Sequence, residues 1–403
     1  MAPPGGLRVA PDDEAYWLSL RATMAPMYIN TQLVNSRRSP APLIVRDKIR
    51  SVLDTALSYE LDEYEPFKEM KESGSSVELR AMLAEYFGTS KDEIAFTRNA
   101  MEGIATVLNG FTLQPGDEIL ATRYCYDFNL AIIRQRVARD GIHLKLVHLP
   151  FGPARDEDIL KVFGAAVGPR TKLISFPHVV GRTGLVFPVR AISDFARDRG
   201  IFTFVDGAHS AGHLDLRLQE LGCDAFAACL HKWMHGPRGT GFLYIRKAQI
   251  ANVWPLIAPY SDLPTHSIEK FEEVGTVFKA LAAAVPEMIK FNTDIGQAEK
   301  TARYQYMRAR WATRLGKHPR VRLLFDPDAT PATGFGAFVV DGMTCEQVTK
   351  TLLDEFDIHL KAFKMEEDPS FQGITICPGL ANTVQEIDAF VDAALAILSR
   401  RHQ

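Results

Sequence analysis

The sequence predicts an α/β fold with a large domain on a mainly parallel, seven-stranded sheet and a small α/β domain. Between residues 93 and 245, short apolar segments alternate with segments of about 10–15 residues that have helical apolar spacing. Segments that are apolar on both faces indicate a sheet covered by helices on either side. After about Lys279 the sequence becomes more polar and helical, which marks the change of domain.

The elements of the large domain follow from this pattern in order. Apolar residues at helical spacing predict two helices before the first strand, over 45–55 and 76–87. Predicted helices over 101–111 and 127–139 follow the first two strands. The predicted strands are 93–97, 118–122, 143–148, 173–176, 202–205, 225–228 and 242–245.

The C-terminal part predicts a second, smaller unit, in which Asn382 or Thr383 caps the last helix. We expect residues 45–300 to form the large domain and residues 301–403 the small one, with residues 1–44 joining the small domain. The predicted elements are a helical stretch over 280–315, strands over 335–340 and 358–360, and helices over 345–356 and 383–400.

The bulk composition excludes several classes of function. The chain has 403 residues, a formal net charge of -3 and 46% hydrophobic residues, which gives no sign of a nucleic-acid partner. No apolar run approaches the ~18 residues of a membrane-spanning helix, and the N-terminus lacks a signal-peptide pattern. The five cysteines form no CxxC pair, so neither a metal site nor a disulfide framework is expected. We expect a cytoplasmic protein that binds neither nucleic acid nor membrane.

Two residues, 26 positions apart, carry the chemistry. Lys232 lies next to Trp233 and before the glycine-rich segment 236–241, and Asp206 follows the apolar strand 202–205. A lysine that is removed from water loses its charge and becomes a nucleophile toward aldehydes. A carboxylate at the end of a strand can hold a pyridine nitrogen protonated. Together they indicate a site for pyridoxal 5'-phosphate (PLP), in which Lys232 makes the Schiff base and Asp206 turns the ring into an electron sink.

The segments 205–212 and 231–244 carry an Asp–His–Lys pattern that resembles the fold-type-I PLP-dependent enzymes. The resemblance is to the class V aminotransferase group, which includes cysteine desulfurases and isopenicillin N epimerase-like enzymes. It extends from about residue 28 to residue 400. It implies that Lys232 also acts as general base and acid. It further implies that His231 contacts the cofactor phosphate and that His209 touches its phenolic oxygen.

The same resemblance implies further contacts with the cofactor. The turn over 97–103 resembles the family's phosphate-binding turn, where backbone N–H groups of a helix N-terminus face an anion. Ala100 and Met101 would donate these bonds, although the family usually has Thr where Met101 stands. Tyr126 matches the ring that stacks on PLP. Thr276 matches a residue that reaches the phosphate from a neighbouring subunit, which implies a homodimer with a shared active site.

The sequence departs from the family pattern at Thr375, where an arginine normally grips the substrate α-carboxylate in a bidentate manner. Arg182, in a loop that lies over the cofactor in relatives, is one candidate replacement. Arg37 and Arg38, in an N-terminal loop that edges the substrate pocket in relatives, are the second. A substrate without a free α-carboxylate fits as well.

We therefore expect a PLP-dependent enzyme that acts on an amino acid or amine, of the aminotransferase type and with a specialised substrate. A lyase that eliminates a β or γ substituent and an epimerase stay open as alternatives, and a non-catalytic scaffold is the alternative from another class. Desulfurase activity ranks lower, because only Cys377 has a place near the substrate where a reactive thiolate is conceivable. The absence of a GxGxxG segment after an N-terminal strand argues against a nicotinamide fold.

Overall fold

The computed structural model describes residues 9–25, 31–34, 39–56, 75–149, 154–328, 333–365 and 371–400. The helices are α1 Glu14–Ala22, α2 Leu43–Ala56, α3 Val77–Phe87, α4 Ala100–Gly110, α5 Asp127–Asp140, α6 Asp156–Ala166, α7 Val189–Arg197, α8 Leu218–Leu221, α9 Lys279–Ala283, α10 Val285–Ile295, α11 Gln297–Leu315, α12 Cys345–Phe356 and α13 Val384–Ser399. The strands are β1 Thr31–Gln32, β2 Ile94–Thr97, β3 Glu118–Thr122, β4 His143–Val147, β5 Thr171–Pro177, β6 Phe202–Asp206, β7 Ala225–Cys229, β8 Gly241–Ile245, β9 Val321–Leu323, β10 Gly336–Val340, β11 Ile358–His359, β12 Lys361–Lys364 and β13 Gln372–Ile376.

A seven-stranded sheet, with the order β2-β8-β7-β6-β5-β3-β4, forms the centre of the described part of the chain. Strands β4, β3, β5, β6 and β7 pair in parallel, whereas β8 is antiparallel to both of its neighbours. Within β3, Leu120 packs into one apolar core, while Ile119 and Ala121 pack into the other. The sheet therefore has a helical layer on each face, and the predicted α/β fold with a mainly parallel sheet is confirmed.

A smaller antiparallel sheet, with the order β12-β13-β10-β9, packs with α11, α12 and α13 around a separate core. The N-terminal strand β1 pairs in parallel with β11, so that Thr31 lies opposite Ile358. This pairing supports our assignment of the N-terminal segment to the small domain. The domain limits at residues 44 and 300 stay a prediction. Thr383 caps α13 through a reciprocal capping box with Glu386.

The predicted helical stretch over 280–315 was wrong in one respect, because the structure divides it into α9, α10 and α11. Pro286 lies in the first turn of α10, where its missing N–H and fixed φ favour the start of a helix. Gly296, between α10 and α11, has a φ of 94°. Residues with a side chain rarely adopt this conformation, whereas glycine adopts it without a steric penalty. The chain can therefore turn at Gly296 at low cost.

The close approach of α4 to the central sheet depends on Gly103. A Cβ atom at this position would lie 2.9 Å from Ala227 Cβ and 3.4 Å from Leu243 Cβ, both of which are fixed by the strands β7 and β8. The N-terminus of α4 faces the cavity described below, so this contact also sets the position of that helix end.

We predict that Gly103→Ala lowers the free energy of unfolding by about 1–3 kcal/mol, because overpacking against a rigid sheet forces backbone shifts. Gly164→Ala in α6 is the matched control, since its Cβ would meet only Phe195 at 3.9 Å. That variant should be neutral or more stable by up to ~1 kcal/mol. Denaturant unfolding measures both, and equal midpoints for the two variants would contradict the packing argument.

Candidate active site

A cavity of about 570 Å³ lies at the carboxyl ends of the parallel strands. Open α/β sheets bind ligands at this edge, where the loops that leave adjacent strands diverge. Its walls come from the loops after β3, β5, β6 and β7 and from the N-terminus of α4. Of the residues predicted from sequence, the cavity brings together Ala100, Met101, Tyr126, Arg182, Asp206, His209, His231 and Lys232.

The amine of Lys232 contacts a histidine ring inside the cavity. Lys232 Nζ lies 3.2 Å from His209 Nε2. Burial, and next the charge of Lys232, lower the pKa of His209 well below its ordinary value, so the ring is neutral near pH 7. Because a lysine amine donates to Nε2, the ring proton belongs on Nδ1, a buried atom without a hydrogen-bond partner in the described protein.

Asp206 is the last residue of β6 and is only 8% exposed. Its Oδ1 accepts from the backbone N–H of Ala208 (3.0 Å), and its Oδ2 accepts from Asn129 Nδ2 (2.8 Å). Both carboxylate oxygens are thereby fixed in direction. Sequence reasoning missed Asn129; the available signal was a polar residue on the buried face of α5, next to Leu130 and Ile133.

The N-terminus of α4 presents backbone amides to the cavity. Asn99 caps this helix, because its Oδ1 accepts from the N–H of Glu102 at 3.0 Å. The first amides of a helix, here those of Ala100 and Met101, have no acceptor within the helix and attract anions. Asn99 also lines the cavity, so the cap and the anion-binding end occupy the same place.

His213 connects the loop after β6 to the segment that leads into β10. Its Nδ1 lies 3.0 Å from the carbonyl oxygen of His209, and its Nε2 accepts from the N–H of Gly334 at 2.7 Å. Burial lowers the pKa of His213 to about 3, so the ring stays neutral and can accept this bond. Sequence reasoning did not identify His213, which fixes the backbone of the residue that contacts Lys232.

Arg182 lies beside the position of the missing family arginine. Its carbonyl oxygen accepts from Thr375 Oγ1 at 2.8 Å, and its Nη2 pairs with Asp127 Oδ2 at 2.7 Å. The guanidinium side chain is 24% exposed and lines the cavity. A second cation, Lys361, lines the same wall on the strand next to Thr375, and sequence reasoning missed it.

The remaining predicted residues have different positions. His231 lines the cavity, and burial lowers its pKa to about 4. Tyr126, at the start of α5, is 50% exposed at the cavity rim. Thr276 is exposed and is absent from the cavity wall. The predicted residues Arg37 and Arg38 lie outside the described residues.

All five cysteines fall within the described residues and are buried. Cys377, the candidate thiolate from sequence, is 0% exposed, so that hypothesis is not supported. Burial raises the pKa of the Cys125 thiol to about 12 and also raises that of Cys229; both residues line the cavity. A thiol with a raised pKa is a poor nucleophile at neutral pH.

Among the described residues, no cluster of His, Cys, Asp and Glu could hold a metal ion. Within the same ranges, no helix has the length and apolar character needed to cross a membrane. The groups in the cavity instead fit PLP. A helix N-terminus suits a phosphate, a fixed carboxylate suits a protonated pyridine nitrogen, and an amine suits an aldehyde. The buried Nδ1 atoms of His209 and His231, which have no partner in the described protein, are free to bond a polar ligand.

Comparisons with known proteins find relatives that match most of this chain. An isopenicillin N epimerase of Streptomyces clavuligerus is 29% identical over 343 residues, which cover 79% of this chain and 83% of that protein. A probable cysteine desulfurase of Mycolicibacterium paratuberculosis is 32% identical over 344 residues, which cover 79% of this chain and 48% of that protein.

A solved structure shares the fold. A mutant of C-DES with glycine covalently linked to its PLP cofactor matches with a TM-score of 0.81 at 22% identity, covering 93% of this chain and 98% of that chain. The model of the family "Aminotransferase class-V" matches residues 65–373. This match spans most of the sequence, and the chain therefore belongs to the class V aminotransferase family of PLP-dependent enzymes.

Proposed function

We propose that this enzyme moves a proton at the amine-bearing carbon of an amino-acid substrate, with Lys232 as the base and Arg182 as the ligand of the substrate carboxylate. The observation that carries the proposal is the contact between Lys232 Nζ and His209 Nε2, 3.2 Å apart in the cavity that also holds Asp206. When bound, PLP supplies an electron sink that makes the substrate Cα–H bond acidic. The protein must then provide a base, and Lys232 is the amine that lines the cavity beside His209.

The other residues have supporting roles in this proposal. Asp206, oriented by Asn129 and Ala208, keeps the ring nitrogen of the cofactor protonated. The amides of Ala100 and Met101, with His231, hold the phosphate, and Tyr126 covers the ring face. The neutral ring of His209 accepts a hydrogen bond from Lys232, which directs the lysine amine without adding positive charge to the site.

Arg182 has a suitable position and free hydrogen-bonding capacity for a carboxylate. In the described protein its guanidinium group bonds Asp127 through Nη2 only. Nη2 carries two N–H groups, and it forms one donor edge with Nε and a second with Nη1. The edge that does not face Asp127 can therefore take both oxygens of a substrate carboxylate, which is the bidentate geometry that threonine cannot provide. The bond from Thr375 Oγ1 to the Arg182 carbonyl supports this substitution of one residue by the other.

The thiols argue against a persulfide route. A cysteine desulfurase needs an exposed, low-pKa thiolate to accept sulfur. The cysteines of this chain are all buried. Transamination, elimination and epimerisation need no protein thiol, and all three begin with removal of the Cα proton. We therefore propose removal of the Cα proton as the function. An experiment must then establish which of the three reactions follows.

We also propose that the enzyme is a homodimer with a shared active site. Thr276 is exposed, and large apolar side chains on the segment around it are exposed as well. Exposed apolar area of this kind is typical of a protein–protein interface. The side chains are Trp254, Leu256, Ile257, Tyr260 and Phe278.

The proposed step is tested by incubating the wild-type enzyme with a panel of amino acids in D₂O and following the Cα proton by NMR. We expect exchange with at least one substrate class, and substitution Cys377→Ala should leave its rate unchanged. Keto acid, ammonia or the opposite enantiomer then identifies transamination, elimination or epimerisation. Sulfur transfer to a protein thiol without Cα exchange would refute the proposal.

Lys232→Ala should abolish the adduct that borohydride forms between the protein and PLP, because no other amine takes its place. Lys361→Ala is the matched control, since Lys361 is a second lysine of the same cavity. It should keep both the adduct and the visible absorption band. Peptide mapping that finds the label on Lys361 would show that the assignment of Lys232 is wrong.

Arg182→Gln should raise KM for an amino acid on the order of tenfold to a hundredfold, because a charge-assisted hydrogen bond contributes ~1.5–3 kcal/mol. The effect should disappear for the methyl ester of the same substrate. Arg190→Gln is the control, because Arg190 is an exposed arginine that pairs with Asp194. An unchanged KM for the amino acid in Arg182→Gln would rule out this carboxylate site.

A further inference from the structure

Two buried side chains hold the turn that follows Lys232. Lys300 of α11 donates from Nζ to the carbonyl oxygen of Trp233 at 3.2 Å. Asn292 of α10 donates from Nδ2 to the carbonyl oxygen of Met234 at 2.8 Å. Both Lys300 and Asn292 are 0% exposed. Two helices therefore bind successive carbonyl groups of the turn that carries Lys232.

This turn needs support from outside its own backbone. His235, three residues after Lys232, has a φ of 58°, in the left-handed region that residues with a side chain rarely adopt. Its ring is held on both sides, by the carbonyl of Pro40 at Nδ1 and the hydroxyl of Tyr304 at Nε2. The conformation therefore persists because surrounding groups fix it.

The bonding partners of Lys300 match an uncharged amine. Its Nζ bonds Trp233 O and Asn292 Oδ1, and both acceptors are neutral. A neutral amine has two N–H donors, which these two acceptors satisfy, whereas an ammonium group has a third donor and a charge. A buried charge without a counter-ion is costly, so the uncharged form is favoured.

The groups that face Lys300 do not supply a counter-charge. His213 and His235 face it from the loops packed on α11, and the positive form of Lys300 lowers the pKa of each. On α11 itself, Arg303 is paired with Glu14 of α1. Burial alone lowers the pKa of Lys300 to about 7.

We propose that Lys300 is a positioning residue, which with Asn292 fixes the backbone of the turn and thereby the place of the Lys232 amine. The proposal rests on Lys232 as the residue that holds the cofactor. When the pH falls through the neutral range, Lys300 gains a proton, and its third N–H donor has no acceptor. The hydrogen bond from Lys300 Nζ to the carbonyl oxygen of Trp233 then weakens.

The first test measures unfolding of the holoenzyme against pH. The folded pKa lies below the value of ~10.4 for an unfolded lysine. Between pH 7 and 10 the unfolded state therefore binds more protons, and stability from this group rises with pH. The unfolding constant of the wild type should fall by up to about tenfold per pH unit relative to Lys300→Met. Lys290→Met, at an exposed lysine paired with Asp294, should match the wild type. Equal slopes in wild type and Lys300→Met would overturn the proposal.

The second test separates positioning from a general loss of stability. In Lys300→Met, kcat should fall on the order of tenfold with little change in KM, because the amine of Lys232 is displaced. The pH at which the visible band of the bound cofactor changes should shift by about half a unit. Lys300→Gln keeps two N–H donors without a charge, so it should retain the wild-type band and most of kcat.

The outcomes decide the proposal even if Lys300→Met does not fold, because Lys300→Gln and the wild type then supply the pH slope and the spectrum. A wild-type band in Lys300→Met, or an equal defect in the Met and Gln variants, would overturn it. The unfolding slope does not depend on Lys232 or on substrate. If it holds while Lys232→Ala keeps the borohydride adduct, the failure lies in the proposed cofactor lysine, not in the buried amine.

Discussion

The pairing of β6 with β7 is the constraint on which the site depends. The two strands run parallel, and Asp206 at the end of β6 lies opposite Ala227 of β7. The loop after β7 therefore leaves the sheet at the same edge as Asp206, and it brings Lys232 back to His209. An antiparallel arrangement would place the loop after β7 at the opposite edge, so the parallel register is what brings this carboxylate and this amine to the same cavity.

The electrostatic character of the site follows from burial of its histidines. Burial is the largest cause of the lowered pKa values of His209, His213 and His231. Neutral rings can direct hydrogen bonds without adding positive charge to the site. Positive charge in the cavity is then left to the long side chains at its wall, including Arg182 and Lys361.

The departure from the family pattern at Thr375 has a structural counterpart. The threonine hydroxyl donates a hydrogen bond to the carbonyl oxygen of Arg182. The strand that carries an arginine in the family thus carries a threonine here, and this threonine holds the loop that contains Arg182. Cys125 and Cys229 are thiols at the cavity, but both are buried, and a reactive thiolate requires exposure. Both cases show that the residue type alone does not decide the role.

The sequence by itself determined the seven strands of the central sheet, the α/β class and the residues with the strongest motif, Asp206 and Lys232. Apolar periodicity is local, so most predicted strands match the observed ones within two residues at each end, as at β3 (Glu118–Thr122). The break at Gly296 was missed because long helical periodicity hides a single residue with positive φ.

Only the tertiary structure decided which distant residues share the cavity. Asn129, His213 and Lys361 carry no motif, since their importance comes from contacts across 77, 121 and 14 positions of the chain, with Asp206, Gly334 and Thr375 respectively. The same holds for Lys300, which looks like one more polar residue of a long helix. Packing removed it from water and placed its amine under the turn of Lys232, and a sequence pattern cannot encode that burial.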